Sequence, residues 1–385
     1  MVAPVKTAIS LISLLLCLSL GLPAQAQADS APYVVGAILS LSGPDAGFGN
    51  SQRDTLLMLQ SEINRKGGIN GHPLNVIIED DHSINSQAVK AVKKLIEQDR
   101  VRALIGSTGT GSTLSVIPFA TTGQTPLVSL ASGAAITAGN KWVFRACPTD
   151  TMALNRILQQ LHFDQSFKIG MLFEANAVGR SARDQLRTLA PRHKISIVTE
   201  EPVAEMATDV SDQLERIQRL GAQAIVFWGG ITSSALVVKN IRQLNINLPL
   251  FLSSETGNDS FLALTGKMAD GVKLAASKFL VRNELPLSDP QRTIMASFAG
   301  SFRTAFGREP DTSAIYASDA LQIIVSAMKK AGVDSVALRN EIEKTTAFRG
   351  VTGTYNYTPN NHDGLPNDAL VMITNERGRW RFHRK

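Results

Sequence analysis

What most constrains this chain is a repeated alternation of short apolar runs with amphipathic helical stretches. VVGAILSL (34–41) reads as a buried strand, and the next segment sets Leu56, Leu59 and Ile63 on one helical face before Gly67 and Gly68 stop it. LNVIIEDD (74–81) is the next strand, followed by a helix with Ala88, Val92, Leu95 and Ile96 inward. RALIGS, a helix carrying Leu114, Ile117 and Ala120, and the strand LVSLAS continue the series. Strands apolar on both faces and separated by helices imply a parallel sheet covered on two sides.

After FRACPTD (144–150) and a helix, the series starts again. KIGMLFEA (168–175) and KISIVTEEPV (194–203) are strands, with Leu186 and Leu189 in the helix between them. Val210, Leu214 and Ile217 mark the next helix; AIVFWGG (224–230), a helix with Leu236, Val237 and Ile241, and LFLSS (250–254) continue a second doubly wound unit, and neither unit finishes before the chain moves on. The fold class expected is therefore α/β with two such units.

The units share an internal spacing. Gly106 and Pro126 are 20 residues apart, as are Gly229 and Pro249. Four residues beyond each glycine stand Thr110 and Ser233, and six beyond each proline stand Ser132 and Glu255. All four fall in loops at the carboxyl ends of parallel strands, where doubly wound sheets bind ligands. Facing each other, the units would set a hydroxyl-rich rim against one bearing a carboxylate. Further on, helical patterns cover 294–306, 315–331 and 336–345, then comes a turn-rich stretch, GVTGTYNYTPNNHDG. The chain ends in an expected hairpin with Trp380 and Phe382 inward and Arg379, Arg381 and His383 outward.

A length of 385 residues, 44% of them hydrophobic and 19% charged, leaves room for two such cores. The leader has Lys6, an apolar run from Ala8 to Leu22 and then PAQAQADS, the layout of a cleaved secretory signal over 1–28. Its run falls short of the roughly 20 residues that span a bilayer. The mature protein is expected to be exported. Cys17 lacks the small residue that precedes a lipid-modified cysteine, and removal of the signal leaves Cys147 alone, expected to be a small buried residue without a disulfide. The net charge of +6 is spread along the chain, so no nucleic-acid surface is expected, and alternation makes the basic tail a solvated strand face.

GSTGTGST (106–113) ends a strand and opens a helix, so its amides and hydroxyls suit an anion, or merely cap the helix. It is no nucleotide signature, because Leu114 stands where GxGxxG needs its last glycine. Glu255, on spacing alone, reads best as a solvated loop acid or a cap for the helix near Phe261 and not as a ligand group. Glu79, Asp80, Asp81 and His82 look like metal ligands, yet neighbours on a strand point opposite ways. No HExxH or GxSxG occurs, and no enzyme, metal or cofactor is expected.

ILSLSGPDAGFGN, EINRKGGINGHPLNVIIEDD, RALIGSTGTG, TPLVSLASGAAIT and FRACPTD together resemble the periplasmic leucine/isoleucine/valine-binding proteins of ABC importers, a branch of the type I periplasmic binding fold. The resemblance runs from about Val34 to the terminal hairpin. It implies two lobes joined by a three-strand hinge, with crossings near 148–150, 277–279 and 353–355. Lobe 1 would be 32–149 plus 280–353, and lobe 2 would be 150–279 plus 354–385. It also implies a monomeric receptor in the periplasm that hands an amino acid to a permease in the inner membrane. The ligand's α-carboxylate would meet Thr110 and the pair Ala131 and Ser132, and its α-ammonium would meet Glu255.

Four positions depart from the family pattern: Phe48 and Ser318 stand where tyrosine is usual, Val178 where the tyrosine of a Tyr-Gly pair is, and Ile231 where an aromatic is, and SLASG is one residue short. These imply a more apolar pocket and favour a larger aliphatic or aromatic side chain. The alternatives are a receptor for an amide, urea or an aromatic carboxylate, which would leave Glu255 without a partner, and a sensor that signals to a membrane protein.

Overall fold

The first apolar run becomes a central strand. In the computed structural model, which describes residues 30–383, β1 (Tyr33–Leu39) is followed by α1 (Ala46–Arg65), β2 (Leu74–Asp80), α2 (Asn85–Lys93), β3 (Ala103–Gly106), α3 (Thr110–Thr122), β4 (Leu127–Ser129) and β5 (Val143–Arg145). These strands form a parallel sheet in the order β2-β1-β3-β4-β5. Side chains alternate across it. Val35, Ala37 and Leu39 join the apolar cluster under α1, whereas Ile38 and Leu104 join Ala88, Val92 and Val116 on the other face. Both faces are dry, so each buried Leu, Ile or Val contributes about 1.5–3 kcal/mol relative to exposure.

The chain then crosses. Thr149 caps α4 (Asp150–Phe163) by accepting from the Met152 amide at 3.0 Å. After it come β6 (Lys168–Glu174), α5 (Ala177–Leu189), β7 (Ser196–Val203), α6 (Ser211–Arg219), β8 (Ala224–Trp228), α7 (Ile231–Gln243), β9 (Leu250–Leu252), α8 (Asp259–Thr265) and β10 (Lys273–Ser277). The second sheet runs β14-β13-β10-β9-β8-β6-β7, where β13 (Leu370–Glu376) and β14 (Arg379–Phe382) are the antiparallel hairpin at the chain end. Trp380 and Phe382 pack against the core of this unit, and Trp380 stacks on Phe261.

Between β10 and β13 the chain returns to the first unit. α9 (Arg292–Phe306), α10 (Thr312–Ala331) and α11 (Ser335–Glu343) follow, and α10 lies along α1. A short hairpin, β11 (Phe348–Arg349) with β12 (Thr354–Tyr355), hangs on Asp319, whose carboxylate accepts from the Val351 and Thr352 amides at 2.7 and 2.8 Å. The last crossing comes later than the expected 353–355. The Arg145 amide donates to the His362 carbonyl at 3.0 Å, Tyr357 donates to the Arg145 carbonyl at 2.6 Å, and Arg145 pairs with Asp363 at 2.8 Å. The chain therefore leaves the first sheet between Asp363 and Leu370. The second departure also comes after 279, since the Glu284 carboxylate still accepts from the Phe382 amide. The expected signal segment, 1–28, lies outside the described residues. No helix among the described residues is long and apolar enough to cross a membrane.

Candidate functional site

Parallel strands in both units end toward one another, and the loops that leave them enclose a cavity of about 270 Å³. On the first side it is lined by the turn into α3. Most hydroxyls of that turn are already used: Thr108 donates to Gln52 at 2.6 Å, and Thr113 donates to the Gly109 carbonyl at 2.9 Å. Thr110, the first residue of α3, lines the cavity with no hydrogen bond to its hydroxyl among the described residues. The loop after β4 presses on it so closely that a Cβ on Gly133 would lie 2.3 Å from the Thr110 methyl. Only glycine permits that approach.

Ser132 and Ala131 lie beside it, held from behind by the buried Arg145, whose guanidinium donates to the carbonyls of Ala131 and Gly133. Both backbone groups of Ala131 are engaged, because its amide donates to the Ser129 hydroxyl at 3.1 Å. Ala131 therefore shapes the wall. Ser132 is the polar group of the pair, and it also reaches the carboxyl of Asp150.

From the second unit comes Glu255, in the 3-10 turn Ser254–Thr256 that follows β9. Ser254 anchors this turn to the Ala275 carbonyl at 2.6 Å, and Ser253 anchors it to that of Gly229 at 2.8 Å. The cap of α8 is Asn258, which accepts from the Phe261 amide at 2.9 Å, so Glu255 is not needed there. Among the described residues the Glu255 carboxylate has no hydrogen bond or ion pair. It keeps water-accessible surface while protein from both units surrounds it. That enclosure, then the charges of Asp150, Asp45 and Glu174, push it up to about 8.

Six of the eight residues singled out in the sequence line this cavity: Phe48, Thr110, Ala131, Ser132, Val178 and Glu255. Ile231 and Ser318 do not. Ile231 opens α7 with its side chain packed on the second unit's core, leaving Gly230 at the cavity. Ser318 is fully buried in α10 and accepts from Gln322 at 3.2 Å. α10 instead turns Thr312, Ser313 and Tyr316 to the cavity; two residues beyond Tyr316 is about 200° of helical rotation, which faces Ser318 away. The echo of Thr110 in the second unit, Ser233, is also turned aside, donating to Glu174 at 2.8 Å.

Sequence reasoning missed three acids of the wall, Asp45, Asp150 and Glu174. The same signal, position at a strand end or helix start, applies to each. Glu174 ends β6 and accepts from Asn176, the Gly230 amide and Ser233. Asp150 opens α4, and burial pushes its carboxyl up. Burial and the charges of Asp81 and Glu174 do the same to Asp45. Asp80 and Asp81 do diverge, the first meeting Ser42 and the second Ser40, and no group of three or more metal-binding side chains occurs among the described residues. Cys147 is buried, and burial pushes its thiol up to about 12.

Comparison with known proteins agrees with this architecture. The family model for periplasmic binding proteins matches residues 32–378. Leu/Ile/Val-binding protein homolog 1 of Brucella suis is 23% identical over 354 residues, 90% of this chain and 91% of that one. A leucine-, isoleucine-, valine-, threonine- and alanine-binding protein of Pseudomonas aeruginosa is 23% identical over 325 residues, 82% of this chain and 83% of its own. An extracellular ligand-binding receptor from Rhodopseudomonas palustris HaA2 superposes with a TM-score of 0.85 at 25% identity, over 92% of this chain and 100% of that one. The substrate-binding protein LivJ from Streptococcus pneumoniae, solved with isoleucine, superposes with a TM-score of 0.79 at 22% identity, over 91% and 97%. With two doubly wound units, a cavity between their strand ends and a match over nearly the whole described chain, this protein belongs to the periplasmic binding proteins, in the type I branch that resembles leucine/isoleucine/valine-binding proteins, a family of solute receptors and not of enzymes.

Proposed function

We propose that this chain captures an amino acid between its two units in the periplasm and delivers it, as a monomer, to the permease of an ABC importer. The observation that carries this reading is the polarity of one cavity, with the hydroxyls of Thr110 and Ser132 on the first unit and the carboxylate of Glu255 on the second. The carboxylate of an amino acid suits the first set, aided by the N-terminus of α3, and its ammonium suits Glu255. Each charge-assisted hydrogen bond contributes about 1.5–3 kcal/mol. Bonds to the second unit form only when the units approach, so the ligand favours the closed arrangement by its extra affinity for it. The amino-acid-binding relatives from Pseudomonas and Brucella and the secretory pattern of the leader support the same reading.

Titration calorimetry with a panel of L-amino acids and their deaminated carboxylates tests it. The amino acids should bind and the deaminated analogues should not, and Glu255→Gln should weaken binding by about 10- to 150-fold. A deaminated acid, an amide or urea that binds as well as any amino acid, with Glu255→Gln indifferent, would refute it and favour the amide or carboxylate receptor.

A further inference from the structure

Resting on the reading of this cavity as an amino-acid site, we infer that its ligand carries a second cation, on the side chain, and that Asp45 receives it. Among the described residues four carboxylates line the cavity, from Asp45, Asp150, Glu174 and Glu255, and no Lys, Arg or His does. Glu174 is answered in full within the protein, and Asp150 at one oxygen only. Glu174 accepts from the Asn176 side chain at 2.9 Å, the Gly230 amide at 3.1 Å and the Ser233 hydroxyl at 2.8 Å. Asp150 sits at the first position of α4, where the helix N-terminus favours an anion, with Ser132 and the Trp228 indole beside it.

Glu255 and Asp45 have no such answer. Among the described residues neither carboxylate has a hydrogen bond or an ion pair, and they belong to opposite units. Asp45 precedes α1 yet makes no capping bond, and its Oδ2 lies over Gly109, where an added Cβ would be 3.1 Å away. Glycine at 109 thus keeps the space beside Asp45 open. The α-ammonium of a neutral amino acid answers Glu255 and leaves Asp45 facing Glu174 across the cleft. A second, independent observation also points to a cation. Asp150 is 7% exposed and lines the cavity, and its Oδ2 is buried without a partner. An unpartnered carboxylate oxygen in that setting is costly; Arg145 is the protein's own cation acting on it, and positive charge arriving from the cavity side lowers that cost further. The ligand class is therefore an α-amino acid with a basic side chain, such as lysine, ornithine or arginine. Phe48 and Val178, which suggested an apolar side chain, flank its methylene stem, as apolar walls commonly do for lysine and arginine.

The test is calorimetry on the full mature protein with L-lysine, L-ornithine, L-arginine and L-leucine, repeated on Asp45→Asn. At least one basic amino acid should bind about tenfold or more tightly than L-leucine, and Asp45→Asn should remove that advantage. L-leucine binding as tightly as every basic amino acid, or an advantage that survives in Asp45→Asn, would overturn the inference while leaving the amino-acid reading intact. Binding only of carboxylates without an ammonium would instead overturn the reading of Glu255 on which it rests.

Discussion

A carboxyl pushed up to about 8 within the cleft makes binding at Glu255 proton-linked. Its ordinary value is 4.5, so the folded protein holds this proton more tightly than the unfolded chain does. Stability from that proton is fully present below about pH 4.5 and is lost as pH rises toward 8. Thermal melts of the ligand-free protein should show that decline, made shallower by the cavity water that reaches Glu255, and Glu255→Gln should flatten it. An arriving ammonium favours the ionised form, so binding below pH 8 should release a proton, detected by calorimetry in buffers of different ionisation enthalpy. Equal apparent enthalpies in those buffers would contradict this. At this scale legibility was partial. Glu255 stands out because its loop echoes the one bearing Ser132, a relation of spacing. Ser318 was placed at the cavity only by the family pattern, whereas the rotation of α10 puts Tyr316 there.

The element that shapes the first unit's rim is a pair of loops in contact, the one after β3 and the one after β4. Gly133→Ala would drive a methyl into the Thr110 side chain, and that crowding should cost about 1–3 kcal/mol in denaturant unfolding. Thr110→Ser in the same background removes the opposing methyl and should restore most of the loss, while keeping a hydroxyl at the cavity. Failure of that rescue would mean the contact is not what holds the loops. On the opposite rim, Asn176 accepts from the Gly179 amide as the cap of α5 and also donates to Glu174. Asn176→Ala should cost about 0.5–2 kcal/mol for the cap alone, read from the unfolding midpoint. Strands and helices were readable because apolar periodicity reports which face of an element is dry. The acids at their ends were not, since a carboxylate at a helix start serves equally as a cap, a solvated charge or a ligand group.

Across the whole molecule, the cavity is walled by both units, so an occupant bound on both sides should draw them together. Small-angle scattering should show contraction at saturating ligand for the wild type and a smaller change for Glu255→Gln. A ligand at one hundred times its dissociation constant should add about 2.7 kcal/mol to unfolding stability. Unchanged scattering with full thermal stabilisation would refute closure while preserving binding. The alternation of apolar runs by itself determined two helix-covered sheets, parallel apart from the terminal hairpin, because buried strands and amphipathic helices have distinct periods that any window of sequence displays. The late return of the chain to each unit came from the family resemblance, whose three crossings the alternation alone does not show. Only the tertiary structure decided where the last crossing falls, through the bonds of Arg145 to residues more than 200 positions away, and which of many acids meet in one cavity. Those outcomes depend on contacts between distant segments and on the rotation of each helix about its axis, and no local pattern of residues carries either.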